Sequence, residues 1–60
     1  MKWIIEWDAG YGAHCAEVEA ADEEDACTQA YRSWKDEAEM LSDYQVIGES
    51  TPELREEYEL

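Results

Sequence analysis

"KWIIEWDAGYGAHCAEVEA", residues 2–20, reads as two strands joined by a tight turn. Trp3, Ile5 and Trp7 alternate with Ile4, Glu6 and Asp8, a period of two in a segment rich in aromatic and β-branched side chains. Residues 9–12, "AGYG", set two glycines around Tyr11 and so supply the left-handed backbone that a hairpin turn needs. Residues 13–20, "AHCAEVEA", form a second, weaker strand. If Ala9 pairs with Gly12, the numbers of paired residues sum to 21. Trp7 then opposes His14, Ile5 opposes Ala16 and Trp3 opposes Val18, so large side chains meet small ones on the inward side. The other side gathers Glu6, Asp8, Glu17 and Glu19, with Ile4 among them and Lys2 opposite Glu19. A slip of one residue would bury the carboxylates, which strongly specifies this register.

Downstream of the hairpin, Asp22 is an N-cap residue with Asp25 three positions on. Glu23, Glu24 and Asp25 fall in the first helical turn, where the helix dipole favours negative charge. The spacing predicts a helix to about Leu41, with Cys27, Ala30, Tyr31, Trp34, Ala38 and Leu41 as its buried stripe. Arg32 with Asp36, and Lys35 with Glu39, would pair at i, i+4. Residues 44–49, "YQVIGE", read as a third strand, with Tyr44 and Val46 inward and Ile47 and Glu49 outward. In "STPELREEYEL", Thr51 is an N-cap and Pro52 suits the first helical position. Leu54 and Tyr58 share a face, so this end is a short helix or a frayed acidic tail.

The order is ββαβ(α). A right-handed crossover from the second strand to the third sets the third beside the first. The expected fold is therefore α+β, with a three-stranded antiparallel sheet of order 2-1-3 and one helix on one face. Residues 1–60 make a single domain, with residues 1–49 as its core and residues 50–60 as the terminal helix or tail. The other sheet face, carrying Glu6, Asp8, Glu17, Glu19 and Glu49, is expected to lie open.

A domain of 60 residues buries only about 60% of its unfolded surface. Three Trp, four Tyr and 45% apolar residues nevertheless argue for a real core rather than disorder. No secretory signal is visible after Met1-Lys2, and no apolar run approaches the roughly 18 residues of a membrane span. Cytoplasmic residence is the default that follows. Cys15 and Cys27 fit no metal spacing, and with one His the chain lacks four good ligands. Free thiols are expected, and no metal or cofactor.

Catalysis finds little support. Paired carboxylates need a walled pocket that separates their pKa values, and an open sheet face has none. His14 and Cys15 are strand neighbours, so their side chains point to opposite faces. His14 is instead a packing neighbour of Trp7. "GYG" is too short to cradle a phosphate, and "DEEDACTQAYRS" lacks the alternating acids and central glycine of a calcium loop. Lys2, Arg32, Lys35 and Arg55 are scattered, so direct nucleic-acid binding is not expected.

What remains is charge. Seventeen acids against four bases give a formal net charge of −13. That exceeds the roughly 2–8 charges that keep a small domain soluble. Such a surface repels nucleic acid and anionic membranes and attracts basic proteins. Same-face strand residues recur every ~6.6–6.8 Å. Glu6 with Asp8 and Glu17 with Glu19 therefore form rows of anions, extended by Glu23, Glu24 and Glu49 and by the acids of the tail. Regular anions are also what a nucleic acid backbone presents to Arg and Lys.

In size, charge and the course from "WIIEWDAGYGAHCAEVEA" through "ADEEDACTQAYRSWKDEAEML" to "YQVIGE", the chain resembles small acidic phage-encoded inhibitors of bacterial defence. These are anti-restriction and anti-CRISPR proteins, several of which act as DNA mimics. The resemblance covers residues 2–49 and implies a non-enzymatic inhibitor whose partner is a DNA-contacting subunit of a defence nuclease complex. Two other readings stand beside it. One is an acidic interaction module or adaptor that binds a basic partner without imitating DNA. The other is a homodimer formed through a sheet edge or through an exposed Ile4 and Ile47.

Overall fold

The structure, a computed structural model, describes residues 1–10 and 12–60. Strands β1 (Lys2–Asp8) and β2 (Ala13–Glu19) form the hairpin, and helix α1 (Glu23–Trp34) follows. A single 3-10 turn, Leu41–Asp43, leads into β3 (Tyr44–Glu49), and helix α2 (Pro52–Glu57) comes last. The sheet order is β2-β1-β3, with both pairings antiparallel. The hairpin has the expected register, from Lys2 opposite Glu19 to Asp8 opposite Ala13. The Ala9 amide donates to the Gly12 carbonyl at 3.1 Å, and the Asp8 carboxylate accepts the Gly10 amide at 2.8 Å. Gly10 and Gly12 have φ of 92° and 144°, the region where glycine is favoured. Tyr11, placed by the sequence in the turn, lies outside the described residues.

Helix α1 begins as its acids dictate. The Asp22 side chain accepts the Asp25 amide at 2.8 Å, and Asp25 reaches back to the Ala21 amide at 3.0 Å. The helix packs on the face of the sheet that carries Trp3, Ile5 and Trp7. Ala20, Ala26, Ala30, Ala38, Val18 and Tyr44 complete this core. Ala26, rather than the expected Cys27, is fully buried.

The helix stops at Trp34, seven residues short of the expected Leu41. The residues that follow are good helix formers, so propensity does not end it. Geometry does. Twelve residues span about 18 Å of helix, within the ~23 Å of the seven-residue strands beneath, whereas a helix to Leu41 would span about 28 Å. A helix reaching Leu41 would overshoot Tyr44, which must return to pair with Trp7. The Tyr44 hydroxyl secures the end, lying 2.6 Å from the Trp34 carbonyl and 3.0 Å from that of Ala38. Leu41 is consequently 48% exposed and outside the core. Among the described residues the ion pairs belong to the N-terminus, Lys2 and Arg55, so the expected Arg32–Asp36 and Lys35–Glu39 pairs do not form.

The second sheet face is not open. Strand β3 carries a bulge: Ile5 opposes Val46, yet Ile4 opposes Gly48, leaving Ile47 as the extra residue. Beyond the bulge Glu49 opposes Trp3, on the α1 side of the sheet rather than among the acids of the other face. Gly48, now beside Ile4, lies under Leu54 of α2; a Cβ at Gly48 would stand 3.3 Å from the Leu54 Cδ1. Ile4 is fully buried although it lies outside the α1-side core, and Ile47 is half-buried. An exposed Ile4 as a dimer contact is thereby excluded. Helix α2 is folded as its start signals predict, with the Thr51 hydroxyl accepting the Leu54 amide at 3.1 Å. It ends with the Leu60 amide on the Arg55 carbonyl, at 2.8 Å, and the Glu59 amide on that of Glu56, at 3.2 Å. Glu59 adopts φ 58° to close this cap, a conformation that costs a residue with a side chain roughly 1–2 kcal/mol. The molecule thus has three layers, with α1 and α2 on opposite sides of the sheet.

Candidate functional site

Glu6, Asp8, Glu17 and Glu19 share one face of the hairpin, as alternation requires. Helix α2 changes what each of them presents. Glu17 is an anchor: its carboxylate accepts the Ser50 hydroxyl, and it pairs with Lys2 at 3.6 Å and Arg55 at 3.5 Å. The Ser50 hydrogen bond and these two cations hold its carboxyl below the usual range. Glu19 is exposed and pairs with the N-terminal ammonium at 3.2 Å. Glu6 is half-buried beside Cys15, whose thiol points at it from 3.9 Å. Burial, and then the negative charge of Glu6, push the Cys15 thiol up. Tyr58 of α2 is likewise pushed up, first by desolvation and then by Glu57, Glu6 and Cys15. Asp8 is exposed at the turn. The four carboxylates are therefore not equivalent, and two of the four bases converge on Glu17.

The free anionic surface lies elsewhere. Glu23 and Glu24 are exposed on the first turn of α1 and Glu49 at the end of β3. Glu53, Glu56, Glu57 and Glu59 are exposed along α2 and its cap. None of these seven takes part in an ion pair, and no charged side chain is buried among the described residues.

Beside Glu24 lies an open groove of about 560 Å³, lined by Glu24, Cys27, Met40, Leu41, Ser42 and Tyr44. Met40 and Leu41 are 63% and 48% exposed on it. The helical spacing places Leu41 in the core and gives Met40 no role. Matching the length of the helix to the strands would have shown that both lie beyond its end. Cys15 and Cys27 are free thiols. Cys27 points at the Tyr44 carbonyl from 3.7 Å, and burial, with Glu23 next in weight, pushes its thiol up. The His14 ring stacks on Trp7 with centroids 6.1 Å apart, a packing partner as expected. Among the described residues no group of three or more His, Cys, Asp or Glu is placed to hold a metal ion. No described helix is long and apolar enough to cross a membrane.

Comparison with known proteins finds no matching family, no curated relative and no solved structure of matching fold.

The anchored acids set an expected pH response. Glu17 is held low by Ser50, Lys2 and Arg55, and Asp25 by the Ala21 amide, Gln29 and Arg32. Each binds its proton more weakly folded than unfolded. Their stabilisation is thus complete above the ordinary carboxylate values of about 3.9–4.3. It is lost as pH falls through the lower folded values. Melting curves should show Tm dropping on that acid limb. At pH 7, added salt should raise Tm by screening the repulsion among seventeen acids. Glu17→Gln should lower Tm there, although it reduces the net charge from −13 to −12 (−13 plus one). Glu56→Gln, with the same charge change, no ion pair and a place in the last turn of α2, should not. A Tm that falls on adding salt, or a neutral Glu17→Gln, contradicts this account.

Proposed function

We propose that the protein is a non-enzymatic inhibitor that acts in the cytoplasm of a host cell. Its acidic surface covers the DNA-binding site of a defence protein, in the manner of an anti-restriction or anti-CRISPR DNA mimic. The observation that carries this reading is the segregation of charge. Lys2, Arg55 and the N-terminus are gathered at Glu17 and Glu19. The exposed acids of α1, β3 and α2 are left without ion pairs, as an unneutralised anionic shell. Such a shell steers basic partners, accelerating association and making it salt-dependent.

The proposed contact set is Asp8, Glu19, Glu23, Glu24 and Glu49, with Glu6 and Glu17 supporting the hairpin face. The test is a variant combining Asp8→Asn, Glu19→Gln, Glu23→Gln and Glu24→Gln. Glu17 is left intact because three groups depend on it. Asn at position 8 retains an acceptor for the Gly10 amide. Against a sequence-specific DNA-binding subunit of a restriction or CRISPR complex, the expected result is a slower on-rate with a flatter salt dependence. Duplex DNA should compete with the unmodified protein for the same site. Full inhibition by the fourfold variant, or binding that duplex DNA does not displace, rules the reading out.

A further inference from the structure

The groove at the end of α1 is built unlike the rest of the surface. Cys27 and Tyr44 are the more buried part of its lining, and Met40 and Leu41 stand exposed on it. Its electrostatic surroundings are of one sign. Glu24 lines it, the Asp43 carboxylate accepts the amide of Met40 at 3.2 Å, and Glu23 acts on Cys27. No base lines it. An apolar lining with an acidic rim excludes several occupants. A second copy of this chain would bring its own −13 charge against the rim. An acidic or purely apolar segment would leave the rim carboxylates desolvated and unpaired. The complement is a segment with an apolar side chain for the lining and Lys or Arg for the rim.

We propose that this groove is the specificity site of the protein, and that it seats a basic, amphipathic segment of the partner through the exposed Met40 and Leu41. The proposal rests on the reading above only in requiring a basic partner. Imitation of DNA needs no apolar lining, so an anionic shell would supply encounter and the groove would select among basic proteins. Division of this kind is usual at interfaces, where a few central apolar anchors dominate affinity and rim charges tune the on-rate.

Two peptides test it on the full chain at physiological ionic strength. The first is an amphipathic helix of Lys and Leu, with leucines at i, i+3, i+4 and i+7. The second has the same lysines and Ser in place of Leu. The leucine peptide should bind about tenfold or more tighter, the scale of one buried aliphatic side chain. Its amide chemical-shift changes should centre on Glu24, Cys27 and residues 40–44. Met40→Ser with Leu41→Ser should remove that advantage while leaving Tm unchanged, because both side chains are exposed. Equal affinity for the two peptides, shifts centred on the hairpin face or α2, or no binding of either peptide overturns the proposal. Those outcomes leave the DNA-mimic reading to be decided by duplex competition with the unmodified protein.

Discussion

Ile4→Ala is expected to cost about 2–5 kcal/mol, the range for emptying a buried aliphatic site. The whole domain has roughly 0.05–0.15 kcal/mol of stability per residue, so over 60 residues this change should bring it close to unfolding. Alternation alone puts Ile4 among Glu6, Asp8, Glu17 and Glu19, where an exposed aliphatic residue would tolerate the change within about 0.5 kcal/mol. Helix α2 decides between the two values, because Leu54 lies over Gly48 beside Ile4 and leaves Ile4 with no exposed surface. Urea denaturation of Ile4→Ala and Ile5→Ala gives the comparison. Similar midpoints for the two variants support the three-layer fold. An Ile4→Ala protein as stable as the unmodified chain shows that α2 does not cover this face.

Trp34→Ala should cost about 3 kcal/mol, at the low end for a large aromatic because Trp34 is half-buried. Its ring stacks on Trp7 with centroids 4.7 Å apart. Trp7 is also flanked by His14 and Tyr44. Among the described residues the buried Trp7 Nε1 has no hydrogen-bond partner, so packing holds this side chain, its aromatic neighbours foremost. Losing Trp34 should therefore loosen Trp7 as well, visible as a red shift in the remaining tryptophan emission at temperatures where the variant is still folded. An unchanged Tm together with unchanged emission would mean that the end of α1 is not packed as described.

The hairpin was legible because Trp3, Ile5 and Trp7 alternate on β1 and a slip of one residue would bury Glu17 and Glu19, which leaves one register. Strand order and both helix starts were legible from Asp22, Thr51, Pro52 and the crossover rule. The bulge was not. Val46, Ile47 and Gly48 carry no polar–apolar alternation, so nothing local indicates that one of them is extra, and Glu49 was assigned to the wrong side as a result. The end of α1 was hidden because Lys35 to Glu39 favour helix; the constraint is the length of the strands beneath. The cover over Ile4 was half visible. Leu54 and Tyr58 form an apolar stripe that needs a surface, and Ile4, alone among acids, is the surface that needs covering. The acidic face followed from composition, but the convergence of Lys2, Arg55 and Ser50 on Glu17 depends on where α2 docks. That placement is tertiary, and no single segment records it.

The central place of β1 has a kinetic consequence. Its partner on one side is adjacent in sequence, across a turn from Ala9 to Gly12. Its partner on the other side is distant: Trp7 and Tyr44 are 37 positions apart (44 minus 7), and Trp3 and Glu49 are 46 (49 minus 3). Closing so long a loop is entropically unfavourable before any contact compensates for it, and folding slows as such non-local pairings dominate. The local hairpin should therefore form the nucleus, with β3 and then α2 adding late. Stopped-flow refolding would register this as a slower folding limb for Val18→Ala and a faster unfolding limb for Leu54→Ala. A Leu54→Ala variant that refolds as slowly as Val18→Ala would instead place the docking of α2 at the barrier.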